Sequence, residues 1–209
     1  YSAFDELPKS FADFLIGHIS AKVALKNEQN IWAGDKSNSG EFDGLATLLT
    51  VDASLPSANE VAGTSAISAP ATVVAELGKI VDAIPSALYG RDDLRIYVSQ
   101  SVHKAYVRAL GTLGYVDKFN NQDMGSELLF DGIKLFVAHG LSANVAIATT
   151  IDNIYFATGI LNDSNTVKLL DMADVDGSEN VRIIMRMTGA VQYYNVEDIV
   201  TYGITNAAN

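Results

Sequence analysis

Leu128-Leu129-Phe130-Asp131-Gly132-Ile133-Lys134-Leu135-Phe136-Val137 decides how this chain is read. Two runs of β-forming residues flank Asp-Gly, a pair suited to a turn with positive φ, so the stretch predicts a tight hairpin. After it the pattern predicts only strands, over residues 145–149, 153–158, 166–172, 181–188 and 190–195. Before it the signals are mainly helical. Leu7, Phe11, Phe14, Leu15, Ile19 and Val23 make one apolar stripe and predict a helix over 5–29. Such a helix is roughly 35 Å long at about 1.5 Å per residue. Polar turns and an aperiodic connector follow. A second helix is expected over 69–83, with Ser68 as N-cap and Val73, Leu77, Ile80, Val81 and Ile84 on one face. Leu94, Ile96 and Val98 alternate with Arg95 and Tyr97 as a strand does, and Ser99 then caps a third helix of 100–110 that Gly111 ends. Helices first and strands afterwards mean α+β, not regular βαβ alternation.

Composition narrows the function. The 209 residues suffice for one substantial domain or two joined lobes. Fourteen Lys+Arg against 25 Asp+Glu give a net charge of −11. That argues against a duplex-binding surface, whose affinity comes from Lys and Arg, and against a polybasic membrane anchor. Charged residues are only 19 % and mean hydropathy is +0.15, so surplus apolar surface is expected to be covered by a partner. There is no cysteine, which excludes disulfides, thiolate nucleophiles and Cys-based metal sites. The apolar stretch Gly132 to Ile151 is broken by Lys134, His139 and Asn144, so no spanning helix is expected. Asp5, Glu6 and Lys9 break any signal-peptide core.

Signatures of chemistry are scarce. His18, His103 and His139 are far apart, and none belongs to an HxxxH or HxH pattern, so each reads as structural or exposed. Gly140-Leu141-Ser142-Ala143-Asn144 lacks the second glycine of a nucleophile elbow, and Gly111-Thr112-Leu113-Gly114 lacks the Gly-Lys-Ser/Thr ending of a phosphate loop. Asp171 to Glu179 is the best metal candidate. Setting Gly177 at the glycine of an EF-hand loop puts Met172 and Ile183 where two essential ligands belong, so an acidic surface turn is the better reading. Asp92-Asp93, beside Arg91 and Arg95, reads as a solvated turn. Tyr155-Phe156 and Tyr193-Tyr194 lack the interleaved Lys or Arg of a base-stacking platform. No metal, cofactor or catalytic residue is assigned.

The order of segments carries a resemblance. The helix of 5–29 runs into Ile31-Trp32-Ala33-Gly34-Asp35 and then Glu41-Phe42-Asp43-Gly44-Leu45. Arg95-Ile96-Tyr97-Val98-Ser99 leads into a helix, and the Asp131-Gly132 hairpin follows. Asn144 to Thr149, Asn153 to Gly159, and Asn180-Val181-Arg182-Ile183-Ile184-Met185-Arg186 complete the series, with Glu197-Asp198-Ile199-Val200 at its end. In this order they resemble the major capsid proteins of tailed bacteriophages, the Hong Kong phage capsid fold that encapsulin shells share.

The resemblance implies an α+β, phage-capsid-like fold with a long spine helix. A peripheral lobe with an elongated β-sheet would take residues 1–65 and 187–209, and a compact α/β axial lobe 66–186. It implies a non-enzymatic structural subunit joining pentamers and hexamers of an icosahedral shell around double-stranded DNA, in a bacteriophage or prophage. The chain's first partner would be itself, with scaffolding, portal or decoration proteins as further candidates. DNA would be touched only non-specifically, no membrane would be involved, and the protein would be made in the bacterial cytoplasm and end in the virion. The family's N-terminal arm and extended loop would lie outside this chain, since about five residues precede the helix, so no crosslinking Lys or Asn is carried over. The stripe Leu7, Phe11, Phe14, Leu15 and Ile19 is expected to pack on the sheet of C-terminal strands. In 181–188, Val181, Ile183, Met185 and Met187 are expected to be buried, with Arg182 and Arg186 on the other face at a possible subunit interface. The alternatives are an encapsulin-like compartment, a hydrolase or transferase with a dispersed site, and a carbohydrate-binding module marked by exposed sheet aromatics.

Overall fold

The structure, a computed structural model, describes residues 9–114, 128–159, 167–172, 177–178 and 180–208. In chain order the elements are α1 (Lys9–Ala33), α2 (Leu45–Leu49), β1 (Glu60–Val61), α3 (Val73–Ala83), β2 (Leu94–Val98) and α4 (Gln100–Thr112). The strands β3 (Leu128–Phe130), β4 (Ile133–Val137), β5 (Ala146–Thr150), β6 (Ile154–Thr158), β7 (Val167–Asp171), β8 (Val181–Met185), β9 (Gly189–Tyr193) and β10 (Val200–Tyr202) follow. The fold is α+β, as the sequence implies. Two compact units form, one of Tyr1–Asn27 with Phe156–Ala190, the other of Glu28–Tyr155 with Val191–Asn209.

The larger unit is built on a six-stranded sheet ordered β1-β10-β5-β2-β4-β3. Alternation along the strands sends side chains to two faces. Leu94, Ile96 and Val98 of β2, Ala146 and Ala148 of β5, and Val200 and Tyr202 of β10 meet Val73, Leu77 and Ile80 of α3 and Val102, Tyr106 and Ala109 of α4. Tyr97, Ile147 and Ile199 turn the other way, into a second core with Trp32, Leu45, Leu49 and Leu55. β5 is buried along its whole length because helices or loops cover both faces.

Local expectations hold in places. The hairpin turn is Asp131 at φ 49° and Gly132 at φ 79°, joining β3 to β4. Ser99 caps α4, its hydroxyl accepting from Val102 N at 3.4 Å. The α3 helix begins at Val73 instead of 69, with Thr72 as N-cap, and the Ser68 hydroxyl donates to Asn144 Oδ1 instead. Gly111 does not end α4, which runs to Thr112 before Gly114 at φ 89°. Trp32 and Ala33 belong to α1 itself, so the helix extends beyond residue 29.

The lobe boundaries differ from those expected. Residues 60–61 and 200–202 lie in the same sheet as 94–98 and 146–150, because β10 pairs antiparallel with β5 and β1 pairs parallel with β10. That sheet joins 60–61 and 200–202 to strands expected in the other lobe, so 28–65 and 191–209 go with the larger unit, and 156–186 goes with the first helix in the smaller. Glycines explain the turn after α1. A Cβ on Gly44 would stand 2.5 Å from Asn30 O, and one on Gly34 would stand 2.3 Å from Phe42 O. Only residues without a side chain let the 34–44 segment close onto the helix end, where Gly44 N donates to Gly34 O at 2.9 Å.

In the smaller unit, β7 and β8 pair antiparallel, with Val167 opposite Met185 and Asp171 opposite Val181. β6 and β9 make a second two-stranded ribbon, of which 156–158 and 189–190 fall in the smaller unit and 154–155 and 191–193 in the larger. The ribbon's flanking bonds, Gly159 N to Thr188 O and Tyr194 N to Asn153 O, make it antiparallel.

Candidate functional site

Buried polar chemistry in the larger unit is internally satisfied. Glu76 of α3 is 2 % exposed, on the same helix face as Val73, Leu77 and Ile80. Its carboxylate accepts from the Tyr202 hydroxyl at 2.7 Å, the Thr64 hydroxyl at 2.9 Å and Lys79 Nζ at 2.8 Å. Burial pushes this carboxyl up, but the donors Lys79, Tyr202 and Thr64 together outweigh it and hold it at about 2. Burial, with donation to Glu76, drives the Tyr202 phenol upward. A general base needs a pKa near the working pH and an open proton path, and Glu76 has neither. The group straps the 62–66 segment to α3 and β10. The sequence reading missed it, although a glutamate inside an apolar helical stripe was a visible signal.

Other polar hubs are structural too. The Asn153 amide donates to Thr149 Oγ1 and Asn195 O, while its oxygen accepts from Tyr194 N and Asn195 N. The Tyr193 hydroxyl donates to Asp52, which lies below the usual carboxylate range chiefly for that reason. The Asp93 carboxylate accepts from Arg91 Nε at 2.9 Å and Nη2 at 2.7 Å, in the solvated turn expected there. His18 and His139 are exposed, and burial lowers half-buried His103. Residues 173–176 and 179 of the acidic turn lie outside the described residues. Among the described residues no group of three or more His, Asp or Glu could hold a metal ion.

Two hollows remain. An open trough of about 620 Å³ is lined by residues 60–66, Asn144 and 202–205, and an apolar hollow of about 290 Å³ by Val74, Tyr106, Leu110, Leu113 and 128–130. Neither brings a histidine beside a carboxylate, the arrangement a dispersed hydrolase site needs.

The smaller unit presents the more telling surface. Among those of its residues whose side chains are described, Met172 alone is buried. Leu15 and Ile19 of α1 are half-buried, and Phe14 is 67 % exposed. Leu7 lies outside the described residues, as does the side chain of Phe11. The expected core stripe is therefore corrected at Phe14, which contacts the ring of His18 with centroids 6.3 Å apart and is otherwise open. Leu25, unremarked in the sequence, is 50 % exposed. On β8 the expected burial also fails. Val181 is 55 % exposed, and Ile183, Met185 and Met187 are half-buried, because a two-stranded ribbon offers no second layer to cover them. Met187 Sδ accepts from the Asn27 amide of α1 at 3.2 Å. Arg182 and Arg186 are exposed, and neither has an acidic partner among the described residues.

No protein-family model matches the chain. No curated protein matches it either. Solved structures do. A chain of the satellite phage P4 procapsid that includes the size determination (Sid) protein aligns at a TM-score of 0.57 with 12 % identity. The alignment covers 95 % of this chain and 64 % of that one, so this chain spans about two thirds of its length. The fold is thus a capsid-like α+β fold. Among the described residues no helix is long and apolar enough to cross a membrane.

Proposed function

We propose that the chain is a structural subunit of a bacteriophage or prophage capsid shell. The observation that carries this reading is a unit in which, among the residues whose side chains are described, Met172 alone is buried. A domain normally buries one face of each element around a core. Here a helix and two ribbons leave Phe14, Leu25 and Val181 in water, in a chain whose fold matches a procapsid chain over 95 % of its length. Repeated copies laid side by side are the simplest cover for such surface. In this reading the larger unit takes the axial place and the smaller the peripheral one, and Arg182 and Arg186 lie where copies meet. Double-stranded DNA fills the shell, held only loosely by a protein of net charge −11. The polypeptide is made in the bacterial cytoplasm and resides in the virion.

Expression of the protein, followed by light scattering and negative-stain microscopy, tests this. Closed shells or rings of five and six copies are expected. A protein that stays monomeric, with scaffolding partners present, would remove the capsid reading.

A further inference from the structure

Resting on that reading, we propose that the Arg182/Arg186 side of β8 in one copy docks on the Asp152/Glu197 turns of a second copy. Arg182 lies on β8 and Arg186 directly follows its last residue, Met185, so if the extended backbone continues one residue further the two share a side, roughly 13 Å apart. Both are exposed and lack an acidic partner among the described residues. Leu170, directly opposite Arg182 in the β7–β8 register, is itself 38 % exposed. The ribbon thus shows two cations around an apolar spot.

The complement lies in the larger unit. Most acids there already take an internal donor: Asp43 from Lys36, Asp93 from Arg91, and Glu60 from Asn206 N. The carboxylates of Asp152 and Glu197 are exposed and accept no hydrogen bond among the described residues. Both sit on short 3₁₀ turns, Ile151–Asn153 and Val196–Asp198, which Asn153 ties together through Asn195. Arg91 exerts a field on Asp152, but its guanidinium is committed to Asp93. Ile151 and Tyr194 lie exposed beside these acids, the phenol ring offering a face on which a guanidinium can stack. Cations around an apolar spot therefore face anions around an aromatic one.

Charge selects the occupant. Every further copy arrives with net charge −11 and an identical pair of uncommitted acids. A basic patch meeting a different, acidic patch is a heterologous contact, the kind that closes rings of identical subunits. Such pairs set register and encounter more than affinity, which falls to the apolar neighbours.

Sedimentation of the protein at low salt tests the contact, with shell formation under the electron microscope scored separately. R182E/R186E and D152K/E197K should each weaken self-association by about tenfold or more, since like charges then face each other. The quadruple variant, with both patches reversed, should recover to near wild type. All four residues are exposed, and circular dichroism checks that each variant is folded. Unchanged association of R182E/R186E overturns the proposal, as does a quadruple variant no better than either double. So does a chain with no measurable self-association. If R182E/R186E associates normally but no longer retains DNA, the arginines face nucleic acid and the proposal is wrong. Loss and rescue of association without closed shells would keep the contact and remove the capsid reading.

Discussion

Glu76 shows how one residue can tie a loop, a helix and a strand together. Its carboxyl sits at about 2 against an ordinary value of 4.5, so the folded state favours the ionised form. A depressed carboxyl contributes stability above its unfolded pKa and loses it as pH falls towards the folded one. Stability should drop between about pH 4.5 and 2, by up to about 3 kcal/mol from this group. Glu76→Gln should flatten that part of the stability-against-pH curve, measured by urea unfolding at several pH values. An equally steep decline in the variant would show that other groups carry it. Thr201 is the opposite case. Its hydroxyl is wholly buried on β10 without a partner among the described residues, opposite Ile147. Thr201→Val keeps the shape and removes an unsatisfied polar atom, so it should stabilise the chain by about 1 kcal/mol. A lower denaturation midpoint in the variant would mean the hydroxyl has a partner in solution.

At the scale of elements, position in the fold sets the value of a side chain more than its type does. Leu77 and Phe14 are both large and apolar, and both lie on helical stripes. Leu77 is fully buried between α3 and the sheet, while Phe14 is mostly exposed on α1. A buried Phe lost to Ala costs about 3–5 kcal/mol. Phe14→Ala should instead cost under about 1 kcal/mol in the isolated chain, and weaken self-association. Chemical unfolding and sedimentation of the same variant separate the two effects. A large unfolding penalty without a change in association would mean that Phe14 belongs to an internal core. The β3–β4 hairpin and the α4 cap were legible because a few adjacent residues determine each. The strands β1 and β10 were not. Glu60–Val61 is too short to show alternation, and it is a strand only because β10 lies beside it.

Across the whole molecule, packing is uneven between the two units. The larger one has two cores on opposite faces of one sheet, and the smaller buries Met172 alone among those of its residues whose side chains are described. Regions with few buried contacts open at low free energy. In the isolated chain, amides of β2 and β5 should exchange slowest with solvent, and those of β7, β8 and residues 14–27 much faster. Assembly should slow the second group. Equal protection of both groups before assembly would mean the smaller unit is stable unaided, removing the physical motive for a shell.

The amino-acid sequence by itself determined the class of the fold. Helical periodicity precedes the Asp131-Gly132 turn and strand periodicity follows it, and both are local properties. Low charge pointed to apolar surface beyond a core, but the α1 stripe read as core, and Phe14 at 67 % exposed does not join one. Tertiary structure decided which apolar residues are core. The stripe on α3 meets a sheet assembled from strands up to 129 residues away along the chain, as Val73 and Tyr202 show, and no local pattern encodes that meeting. It also decided where the units divide, because β10 closes the sheet beside β5 and draws the C-terminal residues into the larger unit. Strand pairing depends on which backbone edge remains unfilled after the rest has folded, and that is a property of the whole chain.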